Sequence, residues 1–375
     1  MKIYRHHIIF ILFAILSCKP KKPCSPIDSS CNPLGYILPD LIINNVRKSN
    51  TPNISTGTNS NTGTITFTGL KYLTILSATS VRLDWEAATS TTSGSIEYNI
   101  YSASISGGQN FSTPLQTLTN VTTATITGIT ASTNNYYVVR AKDASGKVDT
   151  NTNERAALFN GLIRFIPLDS SALATGEKIG GGAVTAFGTP SATSADRKGT
   201  VNNAYTLNGS SQHFEFSQTT PVALPTGNSN KTVCAWLRTN SSAFAQTFFG
   251  YGQTNGQQAN YYLQHTAPNY YFTYDQYSSF SVQSPVFSNV TYTNWNFSCI
   301  SYNTTGSLFG FLLNENYAEA VNSLATMNSL NNSPATIGKF SFTPPLSNYF
   351  NGSIAEVSFW NRTLTKAEML TISKN

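Results

Sequence analysis

The sequence predicts an all-β chain, two consecutive sandwiches closed by a short C-terminal helix, and three observations carry that reading. Strand-like runs are punctuated by turn residues every ~8–12 positions from residue 64 onward, the spacing of sandwich strands. Helical periodicity is nearly absent until Thr365. Charged residues make up only 11% of the chain, against ~25% in an average soluble domain. Ser, Thr, Asn, Gly and Tyr fill the difference, which gives a polar, uncharged surface suited to an exported β-protein.

The first element is a leader. Lys2 and Arg5 precede an unbroken apolar run from Ile8 to Leu16. That run is shorter than the ~20 apolar residues needed to span a bilayer and has the size of a signal-peptide core. It ends in Ile15-Leu16-Ser17-Cys18, which resembles the lipobox of bacterial lipoproteins. The resemblance implies a signal peptide over residues 1–17, lipidation of Cys18, and a membrane as the first partner of the mature chain. An ordinary secretory signal ending near a cysteine is the alternative. Lys19 follows Cys18 where inner-membrane lipoproteins carry Asp, so the resemblance favours the outer membrane or the cell surface.

Residues 18–63 read as a tether. Lys19 to Pro39 is rich in Pro and Ser, and Asn50 to Gly63 is almost entirely Thr, Asn, Ser and Gly; such residues bury too little apolar surface to offset chain entropy. Leu34 to Ile43 is more apolar, and its composition leaves a short helix and a packed segment equally open. Residues 1–63 carry seven Lys/Arg against two acids, residues 64–157 six against six, and residues 158–375 ten against nine. The net charge of +6 therefore sits mostly in the leader and tether. No basic stripe remains for nucleic acid, and that class is excluded.

Residues 64–157 form the first sandwich. Val81, Leu83 and Trp85 alternate onto one face, Tyr98-Asn99-Ile100-Tyr101 makes a second strand, and Tyr137, Val139 and Ala141 share the face of a third. Those strands, with Asp143-Ala144-Ser145-Gly146 after the last, resemble a fibronectin type III domain. The resemblance implies that Trp85 is a core residue and Tyr137 the tyrosine corner.

Residues 158–375 have the size of one large sandwich. Strands are expected at Leu162–Pro167, Ala204–Leu207, His213–Phe216, Thr232–Leu237, Thr247–Tyr251, Tyr261–His265, Tyr270–Tyr274, Trp295–Tyr302, Phe309–Leu313, Ala335–Gly338 and Gly352–Trp360. Thr365-Lys366-Ala367-Glu368 is a capping-box pattern, with Leu364 and Met369 placed as a hydrophobic staple, so a helix starts at Thr365. The blocks Phe165-Ile166-Pro167-Leu168-Asp169, Asn203 to Gly209, Thr232 to Leu237, Trp295 to Cys299 and Tyr349 to Leu364 resemble, in order, laminin-G-like domains of the concanavalin A-like lectin/glucanase superfamily. A jelly roll is the fold this implies.

The placing of Cys234 and Cys299 resembles that in pentraxins, built on the same jelly roll, and implies a bridge between them. Two buried free thiols are the alternative. If Cys18 carries lipid, Cys24 and Cys31 remain as a second pair in the tether, and no thiol is left over.

Catalytic groups are not apparent. Glucanases of the superfamily carry a Glu-x-Asp-x-(x)-Glu strand, because retaining hydrolysis needs two carboxylates ~5 Å apart, and no such run occurs here. His213 and His265 lack a nucleophile partner in sequence and read as strand-surface residues. A cofactor is not expected. A pentraxin-type calcium site looks lost, since Gly338 to Pro345 holds no acid and Ala355 stands where relatives often place Asp. A weaker calcium site using Asp169 or Asp196 stays open. Recognition points to a tyrosine-rich stretch, with Tyr261, Tyr262, Tyr270, Tyr271, Tyr274 and Tyr277 as candidates; tyrosine offers an apolar face and a hydroxyl to sugars and proteins alike. The expectation is a non-catalytic, lipid-anchored cell-envelope protein that binds a glycan or an extracellular protein. A diverged carbohydrate-active enzyme and a purely structural envelope component are the alternatives.

Overall fold

The computed structural model describes residues 63–169, 176–240, 245–252, 258–266, 269–276, 280–288, 290–322, 329, 334–340 and 348–375. Cys18, Cys24, Cys31 and the tether lie outside the described residues. Ser60–Asn375 is one compact unit.

Its first part comprises β1 (Ile65–Thr66), β2 (Leu70–Ser77), β3 (Ser80–Trp85), β4 (Thr89–Ser90), β5 (Glu97–Ala103), β6 (Gln116–Thr119), β7 (Thr123–Ile126), β8 (Asn134–Lys142) and β9 (Arg155–Leu158). One sheet runs β2-β3-β7 and faces another in the order β6-β5-β8-β9. Alternation decides the faces. Val81, Leu83 and Trp85 are buried, while Arg82 and Asp84 between them form an ion pair at 3.0 Å. Tyr137, Val139 and Ala141 line the core as expected, but Tyr136 and Val138 are buried too. A loop from Ser104 to Leu115 packs on that second face. The Glu154 carboxylate accepts from Ser106 Oγ, Gly107 N and Gln109 Nε2, and the Phe111 ring lies under the Arg140 guanidinium.

The second part continues through β10 (Leu162–Ile166), β11 (Val184–Phe187), β12 (Ser191–Ser194), β13 (Ala204–Asn208), β14 (His213–Phe216), β15 (Lys231–Thr239), β16 (Ala245–Gly252), β17 (Gln258–Thr266), β18 (Asn269–Gln276) and β19 (Phe280–Gln283). It ends with β20 (Asn296–Asn303), β21 (Leu308–Leu313), β22 (Asn316–Val321), β23 (Ala335–Ile337), β24 (Asn351–Trp360) and α1 (Lys366–Ile372). An eight-stranded sheet, β12-β13-β24-β15-β20-β21-β22 with β10 also paired to β24, packs against a seven-stranded one, β11-β14-β23-β16-β17-β18-β19. Phe214, Phe216, Phe248, Phe272, Val233, Leu237, Phe309, Phe311 and Ile354 fill the space between them.

The central strands are buried on both faces. On β15, Val233, Ala235 and Leu237 point between the sheets, while Cys234 and Trp236 point the other way. That outer face carries Phe297, Cys299, Leu312 and Trp360 as well, and they join one apolar cluster with Leu73, Ala156 and Leu158 of the first sandwich. Trp360 Nε1 donates to Leu158 O at 2.9 Å across the seam. Cys234 and Cys299 are direct register partners of β15 and β20, and they form a disulfide with a Cα separation of 4.1 Å. This is the close spacing of a non-hydrogen-bonded antiparallel pair.

A second clamp reaches over the seam. Arg197 pairs with Glu356 through two hydrogen bonds of 2.9 Å and lies over the Tyr72 and Trp236 rings. Lys198 Nζ donates to Thr74 Oγ1, and the Asn375 amide both donates to Ala156 O and accepts from Ala156 N. Helix α1 begins as its sequence requires. Thr365 Oγ1 accepts from Glu368 N, the Glu368 side chain accepts from Thr365 N, and Leu364 and Met369 are buried. The first sandwich and α1 thus cover the outer face of the eight-stranded sheet around Cys234, Phe297, Cys299, Leu312 and Trp360.

Candidate functional site

The seven-stranded sheet holds, at its β11 edge where Thr185 and Phe187 are exposed, a cluster built by three neighbouring strands. On β14 the order His213-Phe214-Glu215-Phe216 sends Phe214 and Phe216 into the core, which leaves His213 and Glu215 on the opposite side. On β11 the same alternation leaves Thr185 and Phe187 outward. The register places Phe187 opposite His213, Thr185 opposite Glu215, and Glu215 opposite Thr336 of β23.

The side chains then interlock. The imidazole of His213 stacks on the Phe187 ring with centroids 4.8 Å apart and planes 10° apart, and Tyr349 meets it edge-on at 5.9 Å. His213 Nε2 donates to Glu215 Oε1 at 3.0 Å. That bond, aided by the positive charge of Lys339, holds the Glu215 carboxyl below its ordinary value, although partial burial works in the opposite direction. Phe187 remains 39% exposed. The face therefore presents an open aromatic ring beside an ionised carboxylate.

Local loops fix these groups. Asn208 Oδ1 accepts from the backbone N–H of Ser210, Ser211 and Gln212 at 3.0–3.1 Å, which sets the turn leading into His213. Gln212 Nε2 reaches back to the carbonyls of Gly188 and Thr189, the turn after Phe187. Gly188 has φ +68°, and a Cβ there would lie 2.8 Å from Ser211 O, so a side chain is excluded.

Five of the six predicted tyrosines fall on strands of the same sheet. Tyr261 and Tyr262 sit on β17, and Tyr270, Tyr271 and Tyr274 on β18, with Tyr261 opposite Tyr274, Tyr262 opposite Thr273 and His265 opposite Tyr270. Their side chains, and Tyr277 altogether, lie outside the described residues. Two aromatics of the same stretch, Tyr251 and Phe272, are core.

His213 is a correction. It was expected on the surface, yet it is 6% exposed, because Phe187 and Tyr349 cover its ring. Phe187 lies in none of the expected strands, and Tyr349 enters the sequence reading only as the first residue of the Tyr349 to Leu364 block. The signals that could have found Phe187 were the alternation Val184-Thr185-Ala186-Phe187 and the Gly188-Thr189-Pro190 turn after it. For Glu215 it was the two-residue spacing from His213, which puts both on one side of a strand.

Among the described residues no three His, Cys, Asp or Glu side chains converge as metal ligands. Asp196 closes a turn instead: its carboxylate accepts from Lys198 N, Thr200 N and Asn203 Nδ2. Asp169 stands close enough to Tyr205 for its charge to help burial raise that phenol above its ordinary value.

Residues 208–369 match the family model of the concanavalin A-like lectin/glucanases superfamily, and the second part of the chain is a concanavalin A-like jelly roll. No curated protein matches the chain. Among solved structures, domain 4 of AbnA, a GH43 extracellular arabinanase from Geobacillus stearothermophilus in complex with arabinotriose, is similar at 15% identity and a TM-score of 0.43, over 56% of this chain and 98% of that one. The binding domain of botulinum neurotoxin serotype D is similar at 13% identity and a TM-score of 0.42, over 57% of this chain and 51% of that one. The chain thus spans about half of that neurotoxin domain. Leech intramolecular trans-sialidase is similar at 11% identity and a TM-score of 0.34, over 39% of this chain and 23% of that one. At these values none of the three bears on what the chain does.

Proposed function

We propose that the protein is a non-catalytic binding protein of the bacterial cell envelope, lipidated at Cys18 and facing outward from the outer membrane or cell surface. Its jelly roll grips a glycan or an extracellular protein. The first sandwich acts as a fibronectin type III-like spacer, a reading its three-strand and four-strand sheets support. One observation carries the binding role. The outer face of the seven-stranded sheet keeps Phe187 open beside His213, Glu215 and Tyr349, while the first sandwich occupies the matching face of the other sheet. An exposed ring flanked by a carboxylate and hydroxyl groups suits the apolar face and hydroxyls of a sugar.

The test is a glycan and matrix-protein array on the full chain, run with and without calcium, against a Phe187→Ala/Tyr349→Ala variant. Binding lost in the variant supports the reading, and an intact protein that binds nothing under either condition refutes it. Membrane anchoring is tested separately: Cys18→Ala should release the chain from membranes and remove the lipid mass from its N-terminal peptide. Unchanged retention would overturn the anchor.

A further inference from the structure

Beyond the face just described, the rim of the eight-stranded sheet carries a cation with no carboxylate partner among the described residues. Arg238 lies one same-face position beyond Trp236 on β15, past the edge of the seam with the first sandwich. Its guanidinium lies over the Trp295 ring at 5.0 Å from the centroid. Its Nη2 donates to Ser353 Oγ at 3.4 Å. Ser353 Oγ belongs to a row of hydroxyls crossing three strands, through Thr206 Oγ1 at 3.2 Å to Ser194 Oγ at 2.6 Å. Trp295 is fixed in turn by its Nε1 donating to Ala195 O.

The other partly or wholly buried arginines of the jelly roll each face a carboxylate: Arg164 faces Glu177, Arg197 faces Glu356, and Arg362 faces Glu368. Arg238 has no carboxylate partner among the described residues. A guanidinium has five N–H donors, and one long contact to Ser353 leaves most of them unspent. Its plane is nonetheless held by the indole and the hydroxyl row, so little side-chain freedom is lost when an acceptor arrives. Arg238 and Trp295 are both half-buried, which leaves part of each open to a ligand.

We propose that Arg238 and Trp295 form a second binding subsite, separate from the Phe187–His213 face, that receives the carboxylate of an acidic sugar. The planar fork matches a carboxylate through two parallel N–H···O bonds, and the adjoining indole offers an apolar surface to the sugar ring. Thr206 and Ser194 supply hydroxyls along the same row for the ring's own hydroxyls. Neutral sugars would use only the indole and hydroxyls and bind more weakly.

The experiment is calorimetric titration of the full chain with tri-galacturonate, a glucuronate disaccharide and 3′-sialyllactose, each beside its neutral counterpart. At least one acid sugar should bind more tightly than its neutral match and weaken as salt is raised. Arg238→Met should lower that affinity about ten- to a hundredfold, the range for a charge-assisted hydrogen bond. Arg238→Lys keeps the charge without the fork and should recover only part of it. Phe187→Ala should leave the acid-sugar preference unchanged, so failure here is separable from failure of the first face. The proposal is overturned if none of the three acids is preferred, or if Arg238→Met binds them as the wild type does while only its melting temperature falls. Should Arg238→Met not fold, equal acid-sugar affinity in Arg238→Lys and the wild type would be equally contrary.

Discussion

Lys231 shows how far a single residue can depart from what its type suggests. It begins β15 on the side that faces between the sheets, and it is buried with its Nζ donating to Gly227 O at 3.3 Å and lying 5.7 Å from the Tyr251 ring centre. Burial pushes its ammonium down to about 7. In the unfolded chain the same group keeps its proton to about 10.5. Between these values the unfolded state binds more protons, so this residue makes stability rise with pH from about 7, by up to ~1.4 kcal/mol per pH unit. Lys231→Met should flatten that rise, as measured by urea unfolding at pH 7, 8 and 9. An unchanged slope would show that the amine stays charged inside. Nothing in the sequence marks Lys231: a lysine opening a strand ordinarily reads as a solvated end, and only the strands above and below reveal the enclosure. Thr365 is the opposite case, since a capping box is a local device whose partners lie within three residues and can be read from spacing alone.

At the scale of elements, the central strands covered on both faces were legible and the edge strands were not. Thr232 to Leu237, Trp295 to Tyr302 and Gly352 to Trp360 announce themselves through aromatic and aliphatic residues interleaved with small ones, because both of their faces are covered. The strands Val184–Phe187, Ser191–Ser194 and Asn316–Val321 are short, with small or polar residues, and lie at or near the sheet edges, where a face needs little apolar area. Missing Val184–Phe187 meant missing Phe187, and with it half of the stacked pair at the candidate site. The Cys234–Cys299 bridge joins two of the legible strands. Its closure of a 65-residue separation should contribute ~4 kcal/mol in the chain-entropy model. The first sandwich covers it, so free thiol should appear under mild reductant only as the protein unfolds. A Cys234→Ala/Cys299→Ala variant should lose several kcal/mol in chemical denaturation and keep its β circular dichroism. A loss under ~1 kcal/mol would mean the unfolded chain gains little freedom from the cut.

For the whole molecule, the order of two β-modules was legible, but their fusion was not. Trp85 and Tyr137 could be placed within their own sandwich, whereas nothing local in Trp236, Phe297 or Trp360 says that the neighbouring sandwich covers them. That contact decides where a ligand can go. It covers the outer face of the eight-stranded sheet around Trp236, Phe297 and Trp360 and leaves free the edge of the other sheet, where Phe187, His213, Glu215 and Tyr349 meet. The most direct measurement is hydroxyl-radical footprinting of the full chain, free and with its best array ligand bound. Phe187 and Tyr349 should lose reactivity on binding, while Phe297 and Trp360, both buried, stay unreactive throughout. Protection confined to the first sandwich, or reactive Phe297 and Trp360 in the free protein, would contradict a jelly roll that binds through its seven-stranded sheet.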